Sequence, residues 1–220
     1  RLNEIVRLAK GELVARMDAD DAMHPLRLEK QVGFLQANPE LDGVTTGAYL
    51  IDAEDRPIAL LPGRQPSAQE VLARGGFLHP SLLARKSWFE AHPYSLDYPR
   101  AEDRELFVRT FKTSRLHVLS EPLYFYRWFG VPRGKTLRIG YRSERKVMWK
   151  YGPNLVGWGP SLRLIALSFG KELLTWFLEW THLEKGFQTR RAFQPLLEMD
   201  QREALRTLKV IRETCVPGWD

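Results

Sequence analysis

The chain has 220 residues, of which 44% are hydrophobic, and carries 33 Lys and Arg against 27 Asp and Glu for a net charge of +6. That is enough apolar chain for one core with an appendage, and no stretch has the composition of a long disordered tail. One cysteine, Cys215, excludes an internal disulfide framework and suits a reducing compartment.

The apolar spacing of Leu2, Ile5, Val6 and Ala9 predicts an opening amphipathic helix that stops at Gly11. Leu13-Val14-Ala15 then reads as a short buried strand. At its mouth stand Asp18, Asp20 and Asp21, before His24-Pro25 begins a helix with proline in its first turn. Alternation along an extended chain would turn Asp18 and Asp20 to the same side. Like charges that close need a cation between them or water around them. Hard oxygen ligands of this kind suit Mg²⁺ or Mn²⁺, with substrate phosphates completing the shell. The same residues also read as a solvated acidic turn capping the helix near residue 26. A calcium loop of the EF-hand kind is excluded, because the Gly and the distal Glu it needs are absent.

Further on, Leu28, Val32 and Leu35 mark the buried stripe of a helix that ends before Asn38-Pro39. Gly43 to Ile51 predicts one strand, followed by a turn over residues 52–56 and a returning strand from Pro57 to Leu61. Ser67 with Glu70 is a capping-box signature for a helix from Ala68 to Arg74, which Gly75-Gly76 ends. An apolar stretch from Phe77 to Ala84 and a short helix around Trp88-Phe89 come next. Glu102 and Asp103 precede the helical pattern Leu106, Phe107, Thr110, Phe111. Taken alone they are carboxylates favoured by free N–H groups at a helix start. Tyr124-Phe125-Tyr126 reads as a buried strand. This order of elements predicts an α/β sandwich, and no internal repeat is visible.

Beyond residue 130 the character changes. Between Val131 and Arg191 there are 12 Lys/Arg against 4 Asp/Glu, a balance of +8 beside +6 for the whole chain, which leaves −2 for the rest. Trp128, Trp149, Trp158, Trp176 and Trp180 fall in or beside this stretch, and helices rich in Lys/Arg and Trp suit an anionic membrane surface. Arg163, Lys171, Glu172 and Glu179 interrupt residues 155–183, so a transmembrane helix is not expected. The alternative is packing on the preceding domain with the basic face in water. Nucleic acid is not an expected partner, because the basic residues alternate with apolar ones at helical spacing and no RNA or DNA module is recognisable. A last amphipathic helix is expected from Met199 to Thr214.

Three ordered blocks carry a family resemblance. The first runs from Leu2-Asn3-Glu4 and Ala9-Lys10-Gly11-Glu12 through residues 15–21 to Pro25-Leu26-Arg27-Leu28-Glu29-Lys30-Gln31 and Phe34-Leu35. The second is His79-Pro80-Ser81, Arg85-Lys86-Ser87, Tyr94 and then residues 101–106. The third is residues 121–127. Together they resemble the family 2 glycosyltransferases of the GT-A fold, inverting enzymes whose fold is a mixed sheet flanked by helices. The resemblance implies a partial GT-A catalytic domain over residues 1–130 and a basic, Trp-rich helical extension over residues 131–220. The family begins with strands that form the nucleotide-base pocket, so on the order of 70 to 90 further residues are expected ahead of Arg1, judged from βαβ unit sizes.

By resemblance, Asp20 is the metal ligand and Asp18 contacts ribose or the metal shell, while Asp21 orients them within the nucleotide-sugar site. The cation would be Mg²⁺ or Mn²⁺. Asp103 is the catalytic base that takes a proton from the acceptor hydroxyl. Glu102 and His79 lie on the acceptor side. Processive members carry Q-x-x-R-W; here Tyr124 stands where Gln would be, so a non-processive enzyme is expected, with Arg127 contacting the diphosphate. The expected partners are a nucleotide-diphosphate sugar and a saccharide or lipid-linked acceptor in surface polysaccharide or glycolipid synthesis. The expected location is the cytoplasm, with peripheral attachment to the inner face of the cell membrane left open by the tail. The alternative function is a catalytically inactive glycosyltransferase-like module at a membrane surface or in an assembly.

Overall fold

A computed structural model describes residues 1–129, 134–181 and 196–214. Helix α1 (Leu2–Leu8) leads into strand β1 (Leu13–Ala15), followed by β2 (Ala22–Met23), helix α2 (Arg27–Ala37), β3 (Gly43–Thr46), β4 (Ala48–Ile51) and β5 (Pro57–Leu61). Then come α3 (Ala68–Arg74), a 3₁₀ turn at His79–Ser81, β6 (Leu83–Arg85), α4 (Lys86–Ala91), α5 (Glu102–Thr110), β7 (Leu116–Leu119) and β8 (Tyr124–Arg127). Helices α6 (Gly134–Val156), α7 (Trp158–Trp180) and α8 (Glu198–Glu213) complete the described chain.

The strands form two four-stranded sheets, ordered β1-β6-β3-β7 and β2-β8-β4-β5. Each is mixed: β3 runs parallel to β7 and β4 parallel to β8, while the other pairings are antiparallel. The expected α/β sandwich is therefore present. The single strand expected over residues 43–51 is instead two, because Gly47 hands the chain from the first sheet to the second. A Cβ on Gly47 would lie 2.6 Å from the Gly63 nitrogen and 2.9 Å from the Leu61 carbonyl oxygen, so only glycine fits the crossing. Gly47 thus lies too close to neighbouring backbone to carry a side chain in one continuous strand, a tertiary fact invisible to propensity.

The first sheet is packed on both faces. Leu35 of α2 meets Val44 and Leu83 on one side. On the other, Leu82 and Ala84 join Leu72, Trp88, Leu106, Phe107, Val147 and Met148 in the main core. Helix α6 thus contributes two buried residues to the same core as α3 and α5. The second sheet is covered by α8, whose Ala204 and Leu208 pack on Tyr49, Ile51 and Phe125.

A local signal sets the start of α3. Ser67 Oγ accepts from the Glu70 N–H at 3.3 Å and Glu70 Oε2 from the Ser67 N–H at 2.9 Å, so the capping box forms as expected. The helix expected from His24-Pro25 starts later, at Arg27, because residues 22–23 are first used as a strand against β8. Helices α6 and α7 make a hairpin whose link is Gly157 at φ +88°, a left-handed conformation that glycine adopts without steric cost.

Candidate active site

The acidic loop connects β1 in one sheet to β2 in the other. The chain turns at Ala19–Asp20, and the Asp21 N–H reaches the Asp18 carbonyl at 3.3 Å. This turn replaces the extended alternation expected of Asp18 and Asp20, since the strand ends at Ala15. The three carboxylates consequently have different surroundings. Asp18 pairs with the Arg16 guanidinium at 2.8 Å. Asp20 is exposed. Asp21 is turned inward, with Oδ2 accepting from Tyr124 Oη at 2.8 Å and Oδ1 from the Arg127 N–H at 2.7 Å. Burial pushes the Asp21 carboxyl above its usual range, against the pull of those hydrogen bonds.

Arg127 holds this loop from behind. Its Nε donates to the Asp20 carbonyl at 2.7 Å, one terminal nitrogen donates to the Asp52 carbonyl at 2.8 Å, and the other pairs with Asp55. Asp55 also pairs with Arg212 of α8, and the hydrogen bonds from Arg212 and Arg127 hold its carboxyl below the usual carboxylate range. All three guanidinium nitrogens of Arg127 face protein oxygens. Its part here is to fix the backbone of the acidic loop.

A cleft of about 330 Å³ joins this loop to the second acidic site. Asp18, His79, Glu102 and Asp103 line it, together with Arg16 and Arg100. Helix α5 starts at Glu102 without a side-chain cap at Ala101, so both acids sit in its first turn rather than at the cap itself. The Asp103 carboxylate accepts from the neighbouring Arg104 N–H at 2.7 Å. The helix is clamped to α6 by Arg104 to Glu144 at 2.9 Å and by Tyr151 Oη donating to Glu105 at 2.7 Å. Burial and the Glu105 carboxylate push the Tyr151 hydroxyl up to about 12.

His79 is 7% exposed, and its Nε2 lies 2.8 Å from Tyr94 Oη. Burial and the nearby Arg16 guanidinium hold its pKa well below the ordinary histidine value. It therefore reaches the cleft as a neutral ring held by Tyr94.

Sequence reasoning missed two cations of this cleft. Arg16 keeps two guanidinium nitrogens buried and without a hydrogen-bond partner among the described residues. It lies within the first resemblance block, where spacing to the acids could have drawn notice. Arg100 takes φ +63°, a left-handed conformation uncommon outside glycine, three positions before Asp103. Nothing in the sequence signals that conformation.

As a metal site the loop has few ligands. Among the described residues no three His, Cys, Asp or Glu side chains converge. Of the two expected ligands, Asp18 is paired with Arg16 and lines the cleft, while Asp20 is exposed and does not line it.

The two mixed sheets flanked by helices make a GT-A-like α/β fold. Over 94% of this chain and 57% of the other, it aligns with the crystal structure of TarS residues 1–349 from S. aureus, at a TM-score of 0.50 and 15% identity. Residues 1–96 match the family described as Glycosyl transferase family 2. That similarity covers fewer than half of the 220 residues. Among curated relatives, it is 33% identical to the putative glycosyltransferase EpsE of Bacillus subtilis over 57% of this chain and 47% of that one. It is also 33% identical to the O-antigen biosynthesis glycosyltransferase WbnJ of Escherichia coli, over 57% of this chain and 51% of that one. The chain thus spans about half the length of the curated relatives it matches.

Proposed function

We propose that the chain belongs to an inverting, non-processive glycosyltransferase that moves a sugar from a nucleotide-diphosphate sugar to an acceptor hydroxyl. The observation that carries this reading is the single cleft lined by Asp18 from the acidic loop and by Asp103 from α5. Asp103 takes the acceptor's proton as the hydroxyl oxygen attacks the anomeric carbon from the face opposite the diphosphate. Glu102 and the neutral His79 line the acceptor side. Asp18 and Asp20 would hold Mg²⁺ or Mn²⁺ together with the diphosphate, and the cation would neutralise charge on the departing group. The name of WbnJ supports surface polysaccharide as the product class. Tyr124 in place of Gln supports addition of one sugar rather than processive synthesis.

The test uses the full-length protein with a panel of nucleotide sugars and follows the release of nucleoside diphosphate. Activity should require Mg²⁺ or Mn²⁺ and disappear with a chelator. Asp103→Asn should lower turnover by about 10² to 10⁴ with an unchanged melting curve. An Asp103→Asn protein as active as the wild type would remove the assigned base. No transfer from any donor by a folded wild-type protein would favour the inactive-module alternative.

A further inference from the structure

We infer that the outer face of α7 lies flat on an anionic lipid bilayer, anchoring the catalytic unit at a membrane surface. The inner stripe of α7, marked by Ser161, Ser168 and Glu172, faces α6. Leu164 and Ile165 pack against the main core, and apart from Arg163 and Lys171 most of the remaining surface is apolar and open. Leu167, Phe169, Leu173, Trp176, Phe177 and Trp180 are each between 48% and 69% exposed. Water is a poor neighbour for a contiguous surface of this kind on a 23-residue helix.

Charge selects the occupant. Residues 134–180 contain 8 Lys/Arg and 3 Asp/Glu, a balance of +5. All three acids are turned into the protein. Glu144 meets Arg104 at 2.9 Å, Glu172 meets Arg142 at 3.2 Å and also Arg145, and Glu179 meets Arg138. Arg163 and Lys171 remain exposed on α7, and no described carboxylate pairs with either. They flank a shallow, mostly apolar hollow of about 480 Å³ floored by Leu167 and Leu174. An acyl chain with a phosphate at its head matches that combination of hollow and cations.

A second copy of the same face does not match, because it would oppose like charges with no exposed acid between them. A crossing is not at issue, since no described helix is long and apolar enough to span a membrane. Aromatic rings mark both ends of the face. Trp149 and Trp158 pack edge to face at 5.8 Å near the start, and Phe177 meets Trp180 at 6.2 Å near the end. Tryptophan at both ends, cations between and an apolar body are the composition of a helix lying in the interface plane.

The experiment is flotation of the 220-residue chain, and of the full-length protein, with phosphatidylcholine vesicles with and without phosphatidylglycerol. Recovery with the anionic vesicles at low salt is expected, weakening as salt is raised. Arg163→Gln and Lys171→Gln should each weaken partitioning about fivefold, as expected for one cation near an anionic leaflet. Leu173→Glu with Trp176→Glu should abolish it while leaving the far-ultraviolet circular dichroism unchanged, since both side chains are exposed. Ile58→Gln on β5 should float like the wild type. The proposal is overturned by no flotation at low salt, by equal recovery with uncharged vesicles, by indifference to the α7 double variant, or by sedimentation showing copies paired through this face.

Discussion

Tyr124 Oη donates to Asp21 Oδ2 at 2.8 Å and accepts from the Asp18 N–H at 3.2 Å, so one phenol braces both ends of the acidic turn. The Arg27 guanidinium lies over the same ring, 5.0 Å from its centre, and that side chain is fully buried. Tyr124→Phe keeps the ring and deletes both hydrogen bonds. It should cost about 1 to 3 kcal/mol of stability, because the Asp21 carboxylate is left short of a partner. The Asp21 carboxyl should also rise further, since its Tyr124 hydrogen bond currently lowers it. Thermal melting and carboxyl NMR titration check the two effects, and an unchanged Asp21 titration contradicts the brace.

Arg127 spans three oxygen sites with one planar group. Lysine has a single nitrogen and cannot reproduce that fork. Arg127→Lys should therefore destabilise the protein nearly as much as Arg127→Ala, by roughly 2 to 4 kcal/mol. Denaturant midpoints decide the matter. Full rescue by lysine means that only the charge counts, as a diphosphate contact would require.

His79 is buried neutral, with its pKa well below the ordinary 6.5. The unfolded chain takes up a proton there that the fold refuses, so stability is unaffected above that value and falls as pH drops through it. The loss approaches about 1.4 kcal/mol per pH unit below roughly 6.5. Asp21, with a raised carboxyl pKa, contributes the opposite slope in a more acidic range. Melting temperatures of wild type and His79→Gln across this window should converge as pH falls. Parallel curves refute the assignment.

Gly63 sits against the other strand junction: a Cβ there would lie 1.9 Å from the Leu119 carbonyl oxygen. That neighbour is backbone and cannot rotate away. Gly63→Ala should cost at least about 1 to 3 kcal/mol, read as a lowered denaturant midpoint with the slope unchanged. Gly33→Ala, where nothing lies within 4 Å, is the matched control in a helix and should be neutral or stabilising.

Local rules carried the sequence reading where local chemistry decides the outcome. The Ser67–Glu70 box, the helix to Arg74 and the returning strand from Pro57 to Leu61 form as expected. What was illegible depends on distant backbone. Gly47 looks like any glycine within a β-rich run until Gly63 is placed beside it. Strand β7 escaped notice, because four residues containing His117 give no strong alternation until β3 pairs with them in parallel. In the candidate site, the acids were visible as residues, but that Asp18, Glu102 and Asp103 share one cleft, which Asp20 and Asp21 do not line, depends on the fold. Tyr124 was read as a buried ring, which it is; its hydroxyl is the part that spacing could not reveal. Arg127 was read from its charge; its fork of hydrogen bonds behind the acidic loop is visible only in the fold.

The chain passes from one sheet to the other five times: at residues 15–22, between β2 and β3, at Gly47, between β5 and β6, and between β7 and β8. The first of these passages is the acidic turn itself, anchored at either end in a different sheet. Its placement therefore depends on how the two sheets sit on each other, while Tyr124 carries both ends of the turn together. A wedge at Gly47 or Gly63 never touches a carboxylate, yet it would detune them. Selection could thus adjust this centre by repacking a seam that no inspection of its lining residues would flag.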